Sequence, residues 1–265
     1  MGRWEENWPR GFFCFPKSKI PQQTAGDLTH AAVFRGAGYG GFPFSYIIVR
    51  TEIEKGIAMM KGIDVSEYQG IIDWKKVKAA GCRFAVLRAV RRDGSADMQF
   101  EANVRGCLEN DIPFDVYRYT YALLPTEAQT EADQVIRLLQ AYGIRTCRIW
   151  WDVEDRSLET RGKEVLTGLI RTAENTAAGA GYAFGIYTGL FFYREGYFDG
   201  ESLDCPLWIA DYPISRSFPF SEEPPADGHR PVIGQPLFAW QYSGKGIIEG
   251  ILAPVDLDVC YMPFR

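Results

Sequence analysis

The amino-acid sequence predicts an α/β fold, specifically an irregular TIM-like (β/α) barrel with eight strands and fewer than eight helices. From residue 62 onward, short β-branched and aromatic runs alternate with amphipathic stretches, a pattern typical of parallel strands joined by crossover helices. The length of 265 residues also suits a single α/β barrel. The predicted strands cover residues 62–65, 84–90, 114–121, 147–154, 183–188, 206–212, 237–242 and 255–261.

The predicted helices cover residues 74–80, 98–110, 125–142, 163–178 and 190–195. The third has the clearest signals, because Pro125 suits a first helical turn and Gly143 supplies a stop. Between them, Ala128 and Val135 belong to an apolar stripe at helical spacing. The helical pattern then fades in the Pro-rich segment 213–236. Because the helices are too few for a regular barrel, we expect an irregular one rather than an open sheet.

Residues 1–58 differ in composition from the rest of the chain. They are rich in Gly, Phe and Pro, and they carry 7 basic and 5 acidic residues. We therefore predict a principal domain at residues 60–265, preceded by an N-terminal extension of unknown role at residues 1–58. A mis-called start codon, a fusion remnant and a small accessory module all explain the extension, and we favour the first.

The charge and hydropathy patterns exclude several classes of partner. The net charge is -5 at pH 7, so the phosphates of a nucleic acid would be repelled. No run approaches the roughly 18 apolar residues that span a bilayer. Glu5, Glu6 and Pro9 lie where a signal peptide carries its apolar run. We expect no nucleic-acid partner, no membrane insertion and no signal peptide.

The cysteine and histidine content argues against a metal site or a cofactor. The six cysteines are far apart, and only His30 and His229 could join them in a site. Five cysteines follow residue 60 in apolar surroundings, which indicates buried free thiols. The pattern G-x-G-x-x-G occurs at Gly36, Gly38 and Gly41. A strand-like, Pro-broken segment follows it where a dinucleotide site requires a helix, so we reject that interpretation.

Acidic residues end several of the predicted strands. Asp152 and Glu154 end the fourth strand, and period-two alternation puts both on one face, with Cα atoms ~6.6 Å apart in a regular strand. Asp64 and Asp211 end the first and sixth strands. In a structural interpretation, Asp152 caps the following helix and Glu154 is solvated, which would explain this one pair. Acids that end three separate strands at the same barrel rim instead indicate a shared cavity. Neighbouring carboxylates repel, so one tends to keep a proton, as glycosidic cleavage requires.

Aromatic residues flank the same strand ends. They are Tyr68, Tyr117, Tyr119, Tyr121, Trp150, Trp151, Tyr187, Trp208, Tyr212, Trp240 and Tyr242. Any one of these rings is more commonly a core residue than a ligand contact. As a group beside paired acids, they favour a cleft in which aromatic rings stack against sugar faces.

Seven motifs, in order, resemble those of glycoside hydrolase family 25 lysozymes, the muramidases of phage endolysins and bacterial autolysins. The first motif, Met-Lys-Gly-Ile-Asp-Val-Ser-Glu-Tyr, begins at Met60, so we expect the natural start at Met59 or Met60. The others are Asp115-Val116-Tyr117-Arg118-Tyr119, Trp151-Asp152-Val153-Glu154, Gly185-Ile186-Tyr187-Thr188, Trp208-Ile209-Ala210-Asp211-Tyr212, Trp240-Gln241-Tyr242 and Val255-Asp256-Leu257-Asp258. The resemblance covers about residues 60–265.

Two departures from the family pattern put substrate subsites in question. Residues 90–94 replace a short Ser/Thr-Glu-Gly segment, and Arg118 lies where a His is common.

The resemblance implies cleavage of the β-1,4 bond between N-acetylmuramic acid and N-acetylglucosamine in peptidoglycan. It implies that Glu154 is the general acid, that Asp152 tunes it and positions substrate, and that Asp64 and Asp211 complete the catalytic set. The implied substrate-binding residues are Tyr68, Gln69, Tyr119, Tyr121, Trp151, Tyr187, Trp208, Tyr212, Gln241 and Asp258. We expect a raised pKa at Glu154, with Trp150 and Trp151 as an apolar wall.

Two routes to hydrolysis stay open at this level. In one, the substrate's 2-acetamido oxygen attacks the anomeric carbon, with Asp152 or Asp211 stabilising the oxazolinium-like intermediate. In the other, water attacks directly.

The implied partner is a peptidoglycan glycan strand bound by a monomer without a cofactor. Without a visible signal peptide, we expect action on the bacterial wall after cytoplasmic accumulation and holin-type release, or after export by an unrecognised route. Three alternatives remain: a non-catalytic wall-binding barrel, a hydrolase of another β-linked N-acetyl glycan such as chitin, and a metal-dependent hydrolase built on Asp256 and Asp258.

Overall fold

The computed structural model describes residues 59–262 and 264. The nine strands are β1 (Met60–Val65), β2 (Phe84–Arg88), β3 (Phe114–Tyr119), β4 (Arg148–Asp152), β5 (Ala183–Gly189), β6 (Leu207–Ala210), β7 (Phe218–Pro219), β8 (Leu237–Ile247) and β9 (Val255–Cys260). The α-helices are α1 (Trp74–Ala79), α2 (Phe100–Glu109), α3 (Pro125–Ala141), α4 (Lys163–Gly179), α5 (Leu190–Arg194) and α6 (Gly200–Leu203). The proposed extension 1–58, including Cys14, His30 and the Gly36–Gly41 motif, lies outside the described residues.

Eight strands close into a barrel in the order β1-β2-β3-β4-β5-β6-β8-β9, with β9 returning to β1. This confirms the predicted irregular TIM-like barrel. The pairs from β1 to β6 are parallel, and β6 pairs with β8 in the same sense. The two-residue β7 pairs only with the end of β8.

One strand departs from the parallel arrangement that the alternating pattern favours: β9 runs antiparallel to both β1 and β8. The physical reason is the short connection between β8 and β9, residues 248–254. A parallel crossover needs a dozen or more residues, whereas an antiparallel return needs only a few.

Several element boundaries differ from the prediction. β4 ends at Asp152 rather than at residue 154, because the chain turns there into a 3₁₀ helix, Arg156–Leu158, that is capped by the Asp155 side chain. β8 continues to Ile247, five residues beyond its predicted end. The four-residue α6 gives too short a pattern to show helical periodicity.

The strands alternate between two environments. Outward side chains such as Ile63, Leu87 and Trp151 are buried against the helices. Inward side chains such as Phe84 and Trp150 form a second apolar cluster inside the barrel. The inward cluster fills the lower barrel, so the interior is a packed core below the cavity at the other end.

Two glycines make this interior packing possible. A Cβ at Gly185 would lie 2.5 Å from the Trp150 ring, and a Cβ at Gly62 would lie 2.5 Å from the Phe84 ring. Both distances are far inside van der Waals contact, so the rings occupy space that any other residue would fill.

Arg118 lies outside the barrel rather than at a substrate subsite. Its buried guanidinium donates to Glu131 Oε1 of α3 at 3.0 Å and to the backbone carbonyls of Val90 and Arg91. The carboxylate of Glu131 also accepts from Thr120 Oγ1 at 2.7 Å. The Arg118 departure therefore anchors the loop after β2 and does not alter the cavity wall.

The five cysteines within the described residues are free thiols, and four of them are buried as expected, whereas Cys147 is only partly buried. Burial raises the pKa of the Cys82 thiol to about 12, so it stays protonated and unreactive at neutral pH. No helix in the described part of the chain is long and apolar enough to cross a membrane.

We expect Gly185→Ala to lower the free energy of unfolding by about 1–3 kcal/mol, because the added methyl group overpacks the Trp150 ring. Gly168→Ala is the matched control, since nothing lies within 4 Å of a Cβ at Gly168, which is within α4. Alanine there is expected to raise stability by up to about 1 kcal/mol. Urea unfolding followed by tryptophan fluorescence measures both, and equal stability changes would contradict the packing argument.

Candidate active site

A cavity of about 460 Å³ opens at the carboxyl ends of the parallel strands. Every barrel strand, or the loop that follows it, contributes to its wall. The lining residues are Asp64, Tyr68, Arg88, Tyr117, Tyr119, Tyr121, Asp152, Glu154, Tyr187, Trp208, Tyr212, Gln241 and Asp256. The volume suits one or two sugar rings of a longer ligand, and the lining combines acids with aromatic rings.

Four carboxylates line this cavity from opposite sides. Asp64 and Asp256 are direct partners in the antiparallel β1–β9 pair, so their side chains emerge on the same face. Asp152 ends β4, and Glu154 follows two residues later in the loop. Strands far apart in the sequence therefore bring three buried or partly buried acids to Glu154.

Burial controls the charge of these acids. It raises the pKa of Asp152, which Glu154 raises further and Arg88 lowers. Burial also raises the pKa of Glu154, and the nearby Asp256 and Asp155 add to this effect. Burial raises the pKa of Asp256 to about 6. The cavity therefore holds protons at a pH where exposed carboxyls have lost them.

Gln241 supports Asp64 in a fixed orientation. Its Nε2 donates to Asp64 Oδ2 at 2.6 Å, while its Oε1 accepts from Tyr187 Oη at 2.7 Å and from Tyr212 Oη. Because both hydroxyl groups donate to the amide oxygen, the amide nitrogen must face the carboxylate. Gln241 lines the cavity but is only 3% exposed, so the structure shows a supporting role, and its contact with substrate stays a prediction.

Asp258 lies beneath the cavity floor rather than in its wall. It is fully buried, and its Oδ1 accepts from Trp208 Nε1 at 2.9 Å. The carboxyls of Asp64 and Asp258 share a side-chain hydrogen bond, and burial raises the pKa of both groups. Asp258 thus holds Trp208 and Asp64 in place, and the expectation that it contacts substrate is corrected.

Residues 63–251 match the family model described as glycosyl hydrolases family 25. The chain belongs to this family. It is 26% identical over 201 residues to the autolytic lysozyme of Clostridium acetobutylicum, a match that covers 75% of this chain and 55% of that protein. The chain thus spans about half the length of this relative.

Solved structures of family 25 proteins have the same fold. The catalytic domain of an endolysin from bacteriophage P40 of Listeria monocytogenes superposes with a TM-score of 0.61 at 22% identity, covering 77% of this chain and 93% of that domain. A modular autolysin from Streptococcus pneumoniae, solved with a synthetic peptidoglycan ligand, has a TM-score of 0.61 at 26% identity. That match covers 76% of this chain and 46% of the autolysin.

The cavity of this family 25 barrel brings together most, but not all, of the residues expected from the sequence. Those that line it are Asp64, Tyr68, Tyr119, Tyr121, Asp152, Glu154, Tyr187, Trp208, Tyr212 and Gln241. Asp211 does not line it, because Trp208 and Ala210 face inward and the next residue faces the other way. Asp211 is partly exposed, and Arg194 and His229 oppose the rise in its pKa that burial causes.

Trp151 and Gln69 also lie away from the cavity. Trp151 is 1% exposed on the outer face of β4, where its ring centroid lies 6.1 Å from that of Phe184. It cannot be the apolar wall that raises the pKa of Glu154. Gln69 accepts from Ser66 N at 2.8 Å and donates to Pro254 O at 3.0 Å, so its amide closes the loop after β1.

Three lining residues are absent from the catalytic and substrate-binding residues that the resemblance implies: Arg88, Tyr117 and Asp256. Strand alternation could have identified Arg88 and Tyr117. Phe84, inward at the start of β2, implies an inward Arg88 four residues later. No group of three or more His, Cys, Asp or Glu side chains in the described residues is arranged to hold a metal ion.

We expect Asp256→Asn to stabilise the protein at pH 8 but not at pH 4. The pKa of Asp256 is about 6 in the folded protein and 3.8 as an ordinary carboxyl, so the folded state binds more protons between these values. Folding stability is therefore lost as the pH rises through that window, by up to about 3 kcal/mol above pH 6. Thermal unfolding at both pH values measures the effect.

Glu109→Gln, an exposed position on α2, is the control for loss of one negative charge. The same change in melting temperature at pH 4 and pH 8 for Asp256→Asn would contradict the assigned cause.

Proposed function

We propose that the chain is a peptidoglycan hydrolase that acts on the bacterial cell wall and cleaves the β-1,4 bond between N-acetylmuramic acid and N-acetylglucosamine. The observation that carries this proposal is the convergence of four carboxylates in one aromatic-lined cavity. Membership in glycosyl hydrolases family 25 supports glycosidic hydrolysis, and the resemblance to an autolytic lysozyme supports the substrate class.

Glu154 is the proposed general acid and base. It is partly exposed to the cavity, so it can reach a glycosidic oxygen, and its pKa is raised by burial and by Asp256 and Asp155. A carboxyl group with a raised pKa keeps a proton to donate at a higher pH than an exposed carboxyl group does. As the pH rises through this pKa the acid is lost, so activity is expected to fall on the alkaline side.

Asp152 is the proposed partner of the reacting sugar. It is buried at the cavity wall, and its Oδ1 has no hydrogen-bond partner among the described residues. This oxygen can accept the N–H of the 2-acetamido group, which orients the acetamido oxygen toward the anomeric carbon. Asp64 is held by Gln241 and Asp258, and it is proposed to bind the same sugar from the opposite wall.

The proposed reaction proceeds in two steps. The acetamido oxygen forms a bond to the anomeric carbon while the glycosidic bond breaks, and Glu154 gives its proton to the departing oxygen. Glu154, now a carboxylate, then takes a proton from the water that attacks the anomeric carbon, and the acetamido group is restored. Direct attack by water would use the same acid but would invert the anomeric configuration, so product NMR separates the routes.

Aromatic side chains at the rim are proposed to bind the sugar faces. Tyr68 is 75% exposed at one edge of the cavity, and Tyr121 lines the wall with its ring centroid 4.8 Å from that of Tyr119. Trp208 has its indole nitrogen bonded to Asp258, which fixes the plane of the ring. Fixed rings lose little entropy when a pyranose stacks on them.

We expect Glu154→Gln to reduce kcat on purified peptidoglycan by about 10²–10⁴-fold with little change in melting temperature, because the amide cannot transfer the proton. Borohydride reduction followed by mass spectrometry identifies the new reducing end. Muramitol from the unmutated chain supports the proposed bond. Glucosaminitol alone, or release of ends from chitin but not from peptidoglycan, would refute it.

We expect Asp211→Asn to keep activity within about threefold of the unmutated chain, whereas Asp152→Asn is expected to lose at least about 10²-fold. Both changes remove one carboxylate near the open end of the barrel, but only Asp152 lines the cavity. Initial rates of reducing-end release compare the two, and similar losses would return Asp211 to the catalytic set.

A further inference from the structure

The loop after β2 is held rigidly beside the cavity. An isolated bridge joins Val90 to Ala96, and the Asp93 side chain accepts from Ser95 N and Ser95 Oγ at 3.0 and 2.6 Å. Gly94 has a φ of 85°, which a residue with a side chain rarely adopts. Together with the buried Arg118, which holds the loop carbonyls, these contacts fix the backbone that carries Arg91 and Arg92.

The two arginines in this loop have different environments. Arg91 Nε lies 3.5 Å from Glu67 Oε1, so its charge is paired. Arg92 is exposed and makes no salt bridge among the described residues. Its guanidinium lies 4.5 Å above the ring of Tyr121, which lines the cavity. The loop thus presents one unpaired cation on an aromatic wall of the cleft.

The stacked geometry of Arg92 suits anion binding. A guanidinium that lies over a ring uses its face for that contact, and its N–H groups at the edge remain free to form paired hydrogen bonds with a carboxylate or a phosphate. Arg92 contributes to the lowered pKa of Asp155, although the two groups form no salt bridge among the described residues. The Asp155 carboxylate accepts from Tyr119 Oη at 3.2 Å and from Ser157 Oγ at 2.6 Å, so its hydrogen bonds go to other groups.

The charge distribution of the cleft favours an anion beside Arg92, at the edge of the cavity, over an anion at its acidic centre. The cavity itself is lined by four acids and the single cation Arg88, among the described residues. A negatively charged substituent is repelled from that centre, whereas Arg92 attracts it to the β2–β3 side.

We propose that Arg92, stacked on Tyr121, forms a subsite for an oxyanion attached to the glycan, and that this oxyanion is a carboxylate of the peptide carried by N-acetylmuramic acid. The inference rests on the proposed function, because it requires a peptide-bearing glycan in the cleft. Phosphate polymers of the cell wall offer a second source of the same chemistry, and the test separates the two.

The test compares Arg92→Gln with Arg145→Gln, which removes an exposed cation from the loop before β4, at the opposite end of the barrel. Three substrates are used: peptidoglycan freed of phosphate polymers, the same material with those polymers retained, and glycan strands stripped of peptide by an amidase. On the first substrate, Arg92→Gln is expected to lower kcat/KM about tenfold, as loss of a charge-assisted hydrogen bond implies. Arg145→Gln is expected to change it less than twofold.

The loss is expected to disappear on stripped strands and to shrink at 300 mM NaCl, because the lost contact is ionic. Arg92→Lys is expected to recover only part of the rate, since an ammonium group cannot form the paired bonds. A loss that persists on stripped strands would overturn the assignment to the peptide, because the amidase leaves only the lactyl carboxylate of muramic acid, and a loss seen only with phosphate polymers present would overturn the carboxylate assignment.

A binding measurement keeps this test separate from the proposed activity. Co-sedimentation of the Glu154→Gln chain, with and without Arg92→Gln, is measured on the same three substrates. Weaker binding of the double variant only to peptide-bearing glycan supports the subsite even if no substrate is cleaved. Equal binding of both chains to all three substrates overturns it, whereas failure of the unmutated chain to release muramic acid ends bears only on the proposed function.

Discussion

The site depends on the repulsion between carboxylates that the barrel forces into one enclosed space. Asp64 and Asp256 are adjacent because β1 pairs with β9, and Glu154 is near them because the barrel closes. Without this constraint, the charged carboxylates would move apart and remain in contact with water. Strand pairing prevents that separation, so the cavity relieves the repulsion by retaining protons. The same constraint that costs stability keeps protons on carboxyl groups at a higher pH than water-exposed acids would hold them.

Hydrogen bonds in the wall and floor of the cavity restrict the orientations of these acids. Tyr187 and Tyr212 orient Gln241, which holds Asp64, and Trp208 holds Asp258 from the other side. In a dry interior, a polar group with only some of its partners is expensive, so a connected set is favoured over alternatives. The acids that face the cavity thus have few other orientations available, and little reorganisation is required when a substrate binds.

Much of the fold and part of the site could be predicted from the sequence, and the failures share a physical cause. The ends of β1 and β4 were identified correctly as acid-bearing, because apolar runs that stop at a carboxylate are visible in any sequence. Asp211 and Trp151 were misplaced because successive strand residues face opposite sides of the sheet. Their side can be assigned only when one residue of the same strand is known to face the barrel interior. Asp256 was not assigned to the site because it lies near the start of β9. The start of this strand reaches the cavity end only because β9 is antiparallel, which is a property of barrel closure and not of local pattern.

The buried contact between Arg118 and the loop after β2 makes the shape of that loop independent of the side chain that it presents to the cleft at position 92. Arg118 holds that loop through the carbonyls of Val90 and Arg91, and the bonds between Asp93 and Ser95 hold its tip, so the outward side chain of Arg92 is not needed to keep its shape. The residue at position 92 can therefore be exchanged while the loop backbone and the acids on other strands stay in place. Under the proposed function, the wall chemistry that such a barrel accepts can change independently of the acids that line its cavity.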